Sequence, residues 1–196
     1  MNLEKPRFKG EMSVEEALYR RRSVRDYSPE PLSISEISQI LWSAQGLTHP
    51  YGYRTAPSAG ALYPLEIYIH ATRVENLPKG IYKYMPSKHS LLLIKEGDFS
   101  KELFKASLSQ EQVLTAALII LIFGVFARTT SKYGKRGIRY VFNEVGHVSQ
   151  NIYLQATALR LGTVAIGAFY DEEIKSIVRA EKEEEPLYIM PIGKPI

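Results

Sequence analysis

Residues 116–169, AALIILIFGVFARTTSKYGKRGIRYVFNEVGHVSQNIYLQATALRLGTVAIGAF, decide the fold. Leu118 to Phe126 is a run of apolar, largely β-branched side chains that ends before the polar Arg128-Thr-Thr. It falls short of the roughly 20 residues a membrane-spanning helix needs, and it matches a central strand covered by helices. From Gly137 to Gly162 the apolar residues recur at helical spacing, with Val141, Val145, Val148, Ile152 and Leu159 on one stripe. That predicts the longest and most buried helix, with Gly162 as its C-terminal stop. Thr163 to Ile166 then reads as a strand leading into the turn Gly167-Ala-Phe-Tyr, which can equally be a bend where two elements pack. A helix from a cap at Asp171 to Val178 and a strand from Leu187 to Ile192 follow, separated by the charge run Glu181 to Glu185, a solvated loop.

Toward the N-terminus, two capping boxes announce helices, Ser13-Val-Glu-Glu16 and Ser33-Ile-Ser-Glu36. The first helix ends in Arg20-Arg21-Arg22; the second carries Ile37, Ile40, Leu41 and Ala44 on its buried face and stops at Gly46. Thr48 to Pro64 is crowded with Pro, Gly, Ser and Tyr and is too long for a simple turn, and ordered loops of that length are often functional. Leu65–Ala71, Gly80–Met85 and Leu91–Lys95 form a predicted antiparallel meander, followed by a helical stretch near Lys101 to Ala117. Interleaved strands and helices give an α+β class, and 196 residues without an internal repeat or a linker give a single domain over 1–196.

Composition narrows the chemistry. Hydrophobic residues at 45% and charged residues at 23% are those of a folded globular protein. No cysteine is present, so disulfides, iron–sulfur clusters and thiolate zinc sites are excluded, and redox chemistry requires an organic cofactor. The four histidines, His49, His70, His89 and His147, form no HxH or HExxH pair, so no metal site is expected. A net charge of +4 arises from 25 basic against 21 acidic residues, a mixed solvated surface rather than a nucleic-acid face. Neither a signal peptide nor a membrane span is visible, and a cytoplasmic protein is expected.

Three clusters remain. RRSVRDY, Arg21 to Tyr27, offers the donor set of a phosphate dianion, although cations at a helix C-terminus are also what the helix dipole favours; Arg25 lies beyond that explanation. APSAGALYP, Ala56 to Pro64, has the small residues that let backbone approach a flat ligand, and alone it is only a loop. GTVAIGAF, Gly162 to Phe169, is a strand entering a glycine turn. Lys132-Tyr133 sits in KYGKRG, which reads equally as a solvated basic loop and as a lysine whose acidity is tuned by Lys135, Arg136 and Arg139.

In this order RRSVRDYSPEPLS, TAPSAGALYPLEIY, KYGKRGIRYVFNEVGHVSQNIYLQATALRLGTVAIGAF and EEPLYIMPIGKP make nearly the whole chain resemble the FMN-dependent nitroreductase family, in a branch similar to the azoline (SagB-type) dehydrogenases. The resemblance implies a mainly antiparallel sheet flanked by helices, in a homodimer that binds FMN at its interface. It implies that Arg21, Arg22, Ser23 and Arg25, with Lys194, hold the phosphate and ribityl chain. Pro57, Ser58, Ala59, Gly60 and Ala61 then reach the ring from the second subunit. Ala165, Ile166, Gly167 and Ala168 run along one ring face, with an amide of Gly167 or Ala168 toward flavin N5. Relatives commonly carry Asn at the position of Ala61 and Pro at that of Ala165.

The implied activity is ping-pong hydride transfer from NAD(P)H to a flat acceptor such as a quinone or nitroaromatic, with Tyr51, Tyr53, Tyr63 and Phe169 as candidates for the opening. Two alternatives stand beside it. One is oxidation of an azoline or other organic substrate with O2 as final acceptor, in which Lys132 and Tyr133, matching a Lys-Tyr pair of that branch, are the catalytic candidates. The other is a flavin-binding module without turnover.

Overall fold

The computed structural model describes residues 1–196. Six strands form one sheet: β1 (Leu65–Ala71), β2 (Gly80–Met85), β3 (Ser90–Glu96), β4 (Leu118–Gly124), β5 (Gly162–Thr163) and β6 (Glu185–Gly193). Their order is β3-β2-β1-β4-β6-β5, and every neighbouring pair is antiparallel. The apolar run therefore becomes β4, the strand between β1 and β6, with every residue buried. Period-two alternation divides it: Leu118, Ile120 and Ile122 enter one core, while Ile119, Leu121 and Phe123 enter the other.

Seven helices cover the two faces: α1 (Val14–Arg20), α2 (Ile34–Gln45), α3 (Ser100–Ala106), α4 (Glu111–Thr115), α5 (Phe126–Tyr133), α6 (Arg136–Ala158) and α7 (Asp171–Val178). The larger core takes Ile37, Ile40 and Leu41 from α2 and Val141, Val145, Val148 and Ile152 from α6. The smaller takes Leu103 from α3, Val113 from α4, and Ile174 and Val178 from α7. α6 is the longest helix, at 23 residues. No helix is long and apolar enough to cross a membrane.

The departures from expectation have local causes. The helical stretch near Lys101–Ala117 is broken into α3 and α4, because Leu108 and Ser109 both lie at φ 55°, outside any right-handed helix. The predicted strand to Phe126 stops at Gly124, and Phe126 instead opens α5, an element the apolar run had masked. α6 ends at Ala158, not at Gly162; Arg160 takes the left-handed position at φ 59° that a glycine usually fills. Gly162 is needed elsewhere, since a Cβ there would stand 2.6 Å from the Val24 side chain. The strand expected over Thr163–Ile166 is ladder-paired only at Gly162–Thr163, with Ile166 bridging Ile189.

Two end signals and one charge run also differ. The Ser33 box forms in full, whereas at Ser13 only the serine arm is made (Oγ accepts from Glu16 N at 3.1 Å) and the Glu16 carboxylate pairs with Arg20. Asp171 is the first residue of α7 and Tyr170 its cap. The Glu181–Glu185 run is not wholly solvated. Glu184 is 3% exposed and accepts from Tyr68 Oη at 2.7 Å, from Lys83 Nζ and from the Glu181 amide.

Candidate functional site at the two ends of helix α6

The C-terminal end of α6 gathers three separate stretches of chain around one side chain, Tyr153. Its hydroxyl lies 3.1 Å from Ser23 Oγ and accepts the Ala165 amide at 2.7 Å, while the Arg21 guanidinium stands 5.2 Å over its ring. The segment after α1 is held beside the sheet by backbone bonds from Val24 to Thr163 and from Ser28 to Lys194. Tyr27 reinforces this by donating to the carbonyls of Val24 and Pro191. Arg21, Arg22, Ser23 and Arg25, the 165–168 segment and Lys194 therefore lie at one edge of the sheet.

That edge offers cationic side chains and backbone donors. Arg22 donates only to the carbonyls of Tyr19 and Arg21, and the salt bridges of the chain leave Arg21, Arg22 and Arg25 without a carboxylate. Lys194 is paired with exposed Glu30 at 2.9 Å, and that hydrogen bond raises the lysine's pKa. Gly167 and Ala168 are exposed, and their amides make no hydrogen bond within the chain. The Ala168 carbonyl is fixed from behind by Gln110 Nε2 at 3.0 Å. Exposed donors of this kind satisfy themselves with water until a ligand replaces it. Ile166 is buried and Ala165 half-buried, so these two support the segment from beneath.

The N-terminal end is built differently. Loop residues Gly60, Ala61 and Tyr63 lie at φ 64°, 55° and 45°, a run of left-handed backbone that costs free energy at each non-glycine position. Tyr63 holds the loop in that shape. Its amide donates to Ser58 Oγ at 2.9 Å, its hydroxyl accepts from the Arg54 amide at 3.2 Å, and its carbonyl accepts from Arg128 at 3.0 Å. The Arg54 guanidinium lies 4.6 Å over its ring and donates to Gln45 Oε1 at 2.9 Å. Gln45 reaches Glu144 of α6 at 3.5 Å. Burial raises the pKa of the Glu144 carboxyl against the pull of the Ser58 hydroxyl, the Gln45 amide and the Arg54 charge, and burial lowers the pKa of the Arg54 guanidinium. A second arm runs from Arg128 through Glu66 to Lys83 and Glu184.

Lys132 and Tyr133 close on this loop. A Cβ at Gly60 would meet Tyr133 Oη at 2.7 Å and Lys132 Nζ at 3.0 Å, so a side chain there would have to push these two side-chain ends aside in left-handed backbone that favours glycine. Tyr133 in turn meets Tyr140 edge-on at 5.1 Å. Pro57, Gly60 and Ala61 are exposed, Ser58 and Ala59 half-buried. Tyr51 and Tyr53 are exposed beside His49, whereas Phe169 packs on the smaller core.

One chain does not bring these two sets together. From Tyr140 to Tyr153, α6 rises about 20 Å at its usual pitch. A groove of about 970 Å³ along residues 7–14, α2 and the C-terminal half of α6 is lined by none of the candidate cofactor or catalytic residues. No group of three or more His, Asp or Glu residues could hold a metal. His70 is buried, accepts the Phe99 amide at 3.0 Å, and is pushed down to about 4 by burial. Sequence reasoning missed Tyr153, Arg54, Gln45 and Glu144, whose partners lie far away in the chain.

Comparison with known proteins gives the chain a family. The family model described as Nitroreductase family matches residues 18–194. A Methanocaldococcus jannaschii protein provisionally named a nitroreductase is 47% identical over 186 residues, 95% of this chain and 93% of that protein. The Escherichia coli microcin B17-processing protein McbC is 26% identical over 169 residues, 83% of this chain, which spans 62% of McbC. Among solved structures, an Anabaena variabilis protein provisionally named a nitroreductase superposes with a TM-score of 0.85 at 30% identity, covering 97% of this chain and 40% of that one. The microcin synthetase complex McbBCD with truncated pro-MccB17 contains a chain that shares the fold, at a TM-score of 0.76 and 22% identity, covering 98% of this chain and 77% of that one.

Proposed function

The chain belongs to the nitroreductase family, and from that premise we propose that it is an FMN-dependent oxidoreductase passing hydride from NAD(P)H to a flat acceptor such as a quinone or nitroaromatic, working as a homodimer. The observation that carries this reading is the donor set at the Tyr153 end. Three guanidiniums without a carboxylate, of half-buried Arg21 and exposed Arg22 and Arg25, lie at one edge with two exposed backbone amides that make no bond within the chain. They fit FMN in chemistry: cations for a dianionic phosphate and amides for a ring edge.

The cofactor, when bound, supplies reversible two-electron chemistry at its flavin N5. The protein's part is to bind and orient. Arg21 and Arg25, steadied by Ser23 and Tyr153, hold the phosphate end, with Lys194 free to exchange Glu30 for it. The amides of Gly167 and Ala168 are donors toward the ring edge at N5. The Ser58–Ala61 loop, already in its strained shape, presents backbone to the ring without paying for ordering on binding.

The same arrangement supports the homodimer: Tyr140, against the loop, and Tyr153, against the arginines, lie about 20 Å apart along α6, so a second copy would set the loop of one beside the arginines of the other. α6 offers a surface for it, with exposed Ile138 and Phe142 continuing into exposed Gly146 and Gln150 along one stripe.

The contact of Gly60 with Lys132 and Tyr133 favours a second reading. In it the chain oxidises an azoline or another organic substrate with O2 as final acceptor, and Lys132 Nζ, beside the loop, receives the proton that leaves the heterocycle. The visible absorption spectrum of the purified protein, followed without oxygen as NADH and then NADPH are added, separates the two. Flavin bands that bleach support the reductase; bands that ignore both nucleotides shift the weight to substrate oxidation or to a binding module. A colourless protein that takes up no FMN overturns both catalytic readings.

A further inference from the structure

Two glycines lie inside α6, and only one of them has a contact within the chain to account for it. Glycine in a helix interior is destabilising relative to alanine, so a close approach is the usual reason for its presence. At Gly137 a Cβ would stand 2.8 Å from the backbone of Thr129 and Thr130, where α5 packs. Gly146 is exposed, and a Cβ on it would meet nothing within 4 Å. The space above Gly146 is open to another molecule.

The face around Gly146 has the composition of a contact rather than of a solvated surface. From Tyr140 to Leu159 the one Lys, Arg, Asp or Glu is Glu144, which is buried, although 23% of the whole chain is charged. A solvated helix carries charge on its outer face, whereas the centre of a protein interface is depleted of it. Here the outer face consists of Phe142, Asn143, Gly146, His147 and Gln150, all exposed. Ile138, one turn before Phe142, is a second large apolar side chain left exposed.

The position of the glycine selects the partner. Tyr140, which packs on Tyr133 beside the loop, lies about 9 Å before Gly146 along the helix, and Tyr153, which meets Ser23 and Arg21, lies about 10 Å after it. A two-fold axis at Gly146 reverses the helix and so brings the Tyr140 level of one copy to the Tyr153 level of the other. An axis one turn away in either direction misses that match by about 11 Å.

We infer that two copies of the chain pack antiparallel through α6 and cross at Gly146, with Phe142 of each against Gln150 of the other, so that the Ser58–Ala61 loop of one completes the arginine site of the other. The inference rests on the homodimer of the flavin reductase reading and adds its surface, register and axis. Glycine at the crossing lets the two backbones approach more closely than a side chain permits. A two-fold contact makes each pairing twice, so both sites are completed together. In the same register Arg139 falls opposite Tyr153, which adds a cation from the second copy to the anion end.

The absence of native cysteine makes the register directly readable. Gly146→Cys is expected to oxidise to a disulfide-linked dimer, seen as a doubled mass under non-reducing conditions, because a residue on the axis meets its own copy within the roughly 4.4–6.8 Å that a disulfide spans between Cα atoms. Phe142→Cys and Gln150→Cys are expected to link when co-expressed and not when oxidised separately, while Lys101→Cys, exposed on α3, stays single. Gly146→Glu, which sets bulk and charge on the axis, is expected to sediment as a folded monomer that takes up no flavin. A dimer that links at neither Gly146 nor the 142–150 pair, or a Gly146→Glu variant that stays dimeric, overturns the crossing and leaves the homodimer standing. A wild-type chain that binds FMN as a monomer overturns both. FMN uptake, followed separately by visible absorbance, keeps the readings apart: a protein that links at Gly146 but takes up no flavin breaks the flavin reading and not the crossing.

Discussion

The two ends of helix α6 handle polar groups in opposite ways. Around Tyr153 the groups that could meet a ligand are largely unbonded: the guanidiniums of half-buried Arg21 and exposed Arg25, and the exposed amides of Gly167 and Ala168. Beneath Tyr63 almost everything is bonded internally, from Ser58 through Glu144 and Gln45 to Arg54, with Arg54 Nε the one buried atom there lacking a partner. The contrast has a physical origin. Donors that wait in water cost little, because water satisfies them. A loop with three consecutive-region residues in left-handed backbone must be held by something stronger than solvent, and buried polar networks do this only when their members are satisfied. One end is thus prepared to bind, the other is prepared in shape.

The comparison can be broken most sharply at Glu144. Glu144→Leu leaves Arg54 without its buried acidic neighbour and is expected to cost about 3 kcal/mol or more in stability, read from the urea midpoint. It should also disorder the 54–63 loop while the Tyr153 end keeps its shape. A stability loss below about 1 kcal/mol would show that the loop does not depend on this network.

Acid sets the limit within which the two ends can be compared. His70 is buried on β1, and burial holds its folded pKa at about 4, below the ordinary 6.5. The unfolded chain therefore binds the proton first as pH falls. Stability is full above pH 6.5 and declines between about 6.5 and 4, by about 3 kcal/mol from a gap of that size. Urea midpoints measured across that range should show the decline, and His70→Gln should flatten it. Flavin loss at pH 7 or above would then belong to the ends of α6 and not to the sheet.

The Tyr153 end answers to charge. Arg21→Ala or Arg25→Ala is expected to weaken FMN by about 1.5–3 kcal/mol each, measured as flavin retained on gel filtration, with the fold and the oligomeric state unchanged. Stoichiometric flavin in both variants would remove the phosphate assignment. Gly60→Ala gives the smallest effect, about 1–2 kcal/mol, because the new methyl enters left-handed backbone and meets Tyr133 and Lys132. Its signature is a shifted Tyr133 environment by fluorescence or NMR with the Arg21 end unaltered.

Much of this was legible in the chain. β1 and β2 have the boundaries that alternation and turn residues predict, the Ser33 box opens α2, and the apolar run becomes the central β4. Those signals are local, carried by neighbours a few residues apart. α5 was hidden because its first residue, Phe126, continues the apolar run of β4, and the break between α3 and α4 because Leu108 and Ser109 carry no glycine signal for their left-handed backbone. Glu184 looked like one charge among several, yet its partners Tyr68 and Lys83 come from two strands of the sheet.

The sequence by itself determined the elements, their class and the kinds of donor available, because hydrophobic period and capping act within one turn or one strand. Tertiary structure alone decided which donors stand together. Tyr153 meets Ser23 across 130 positions of chain and Glu144 meets Gln45 across 99. Such contacts exist only once the sheet has fixed α6 against α2 and the segment after α1. It also decided that the arginines and the strained loop lie at opposite ends of one rigid helix, a separation set by the rise of α6 and by no residue in particular.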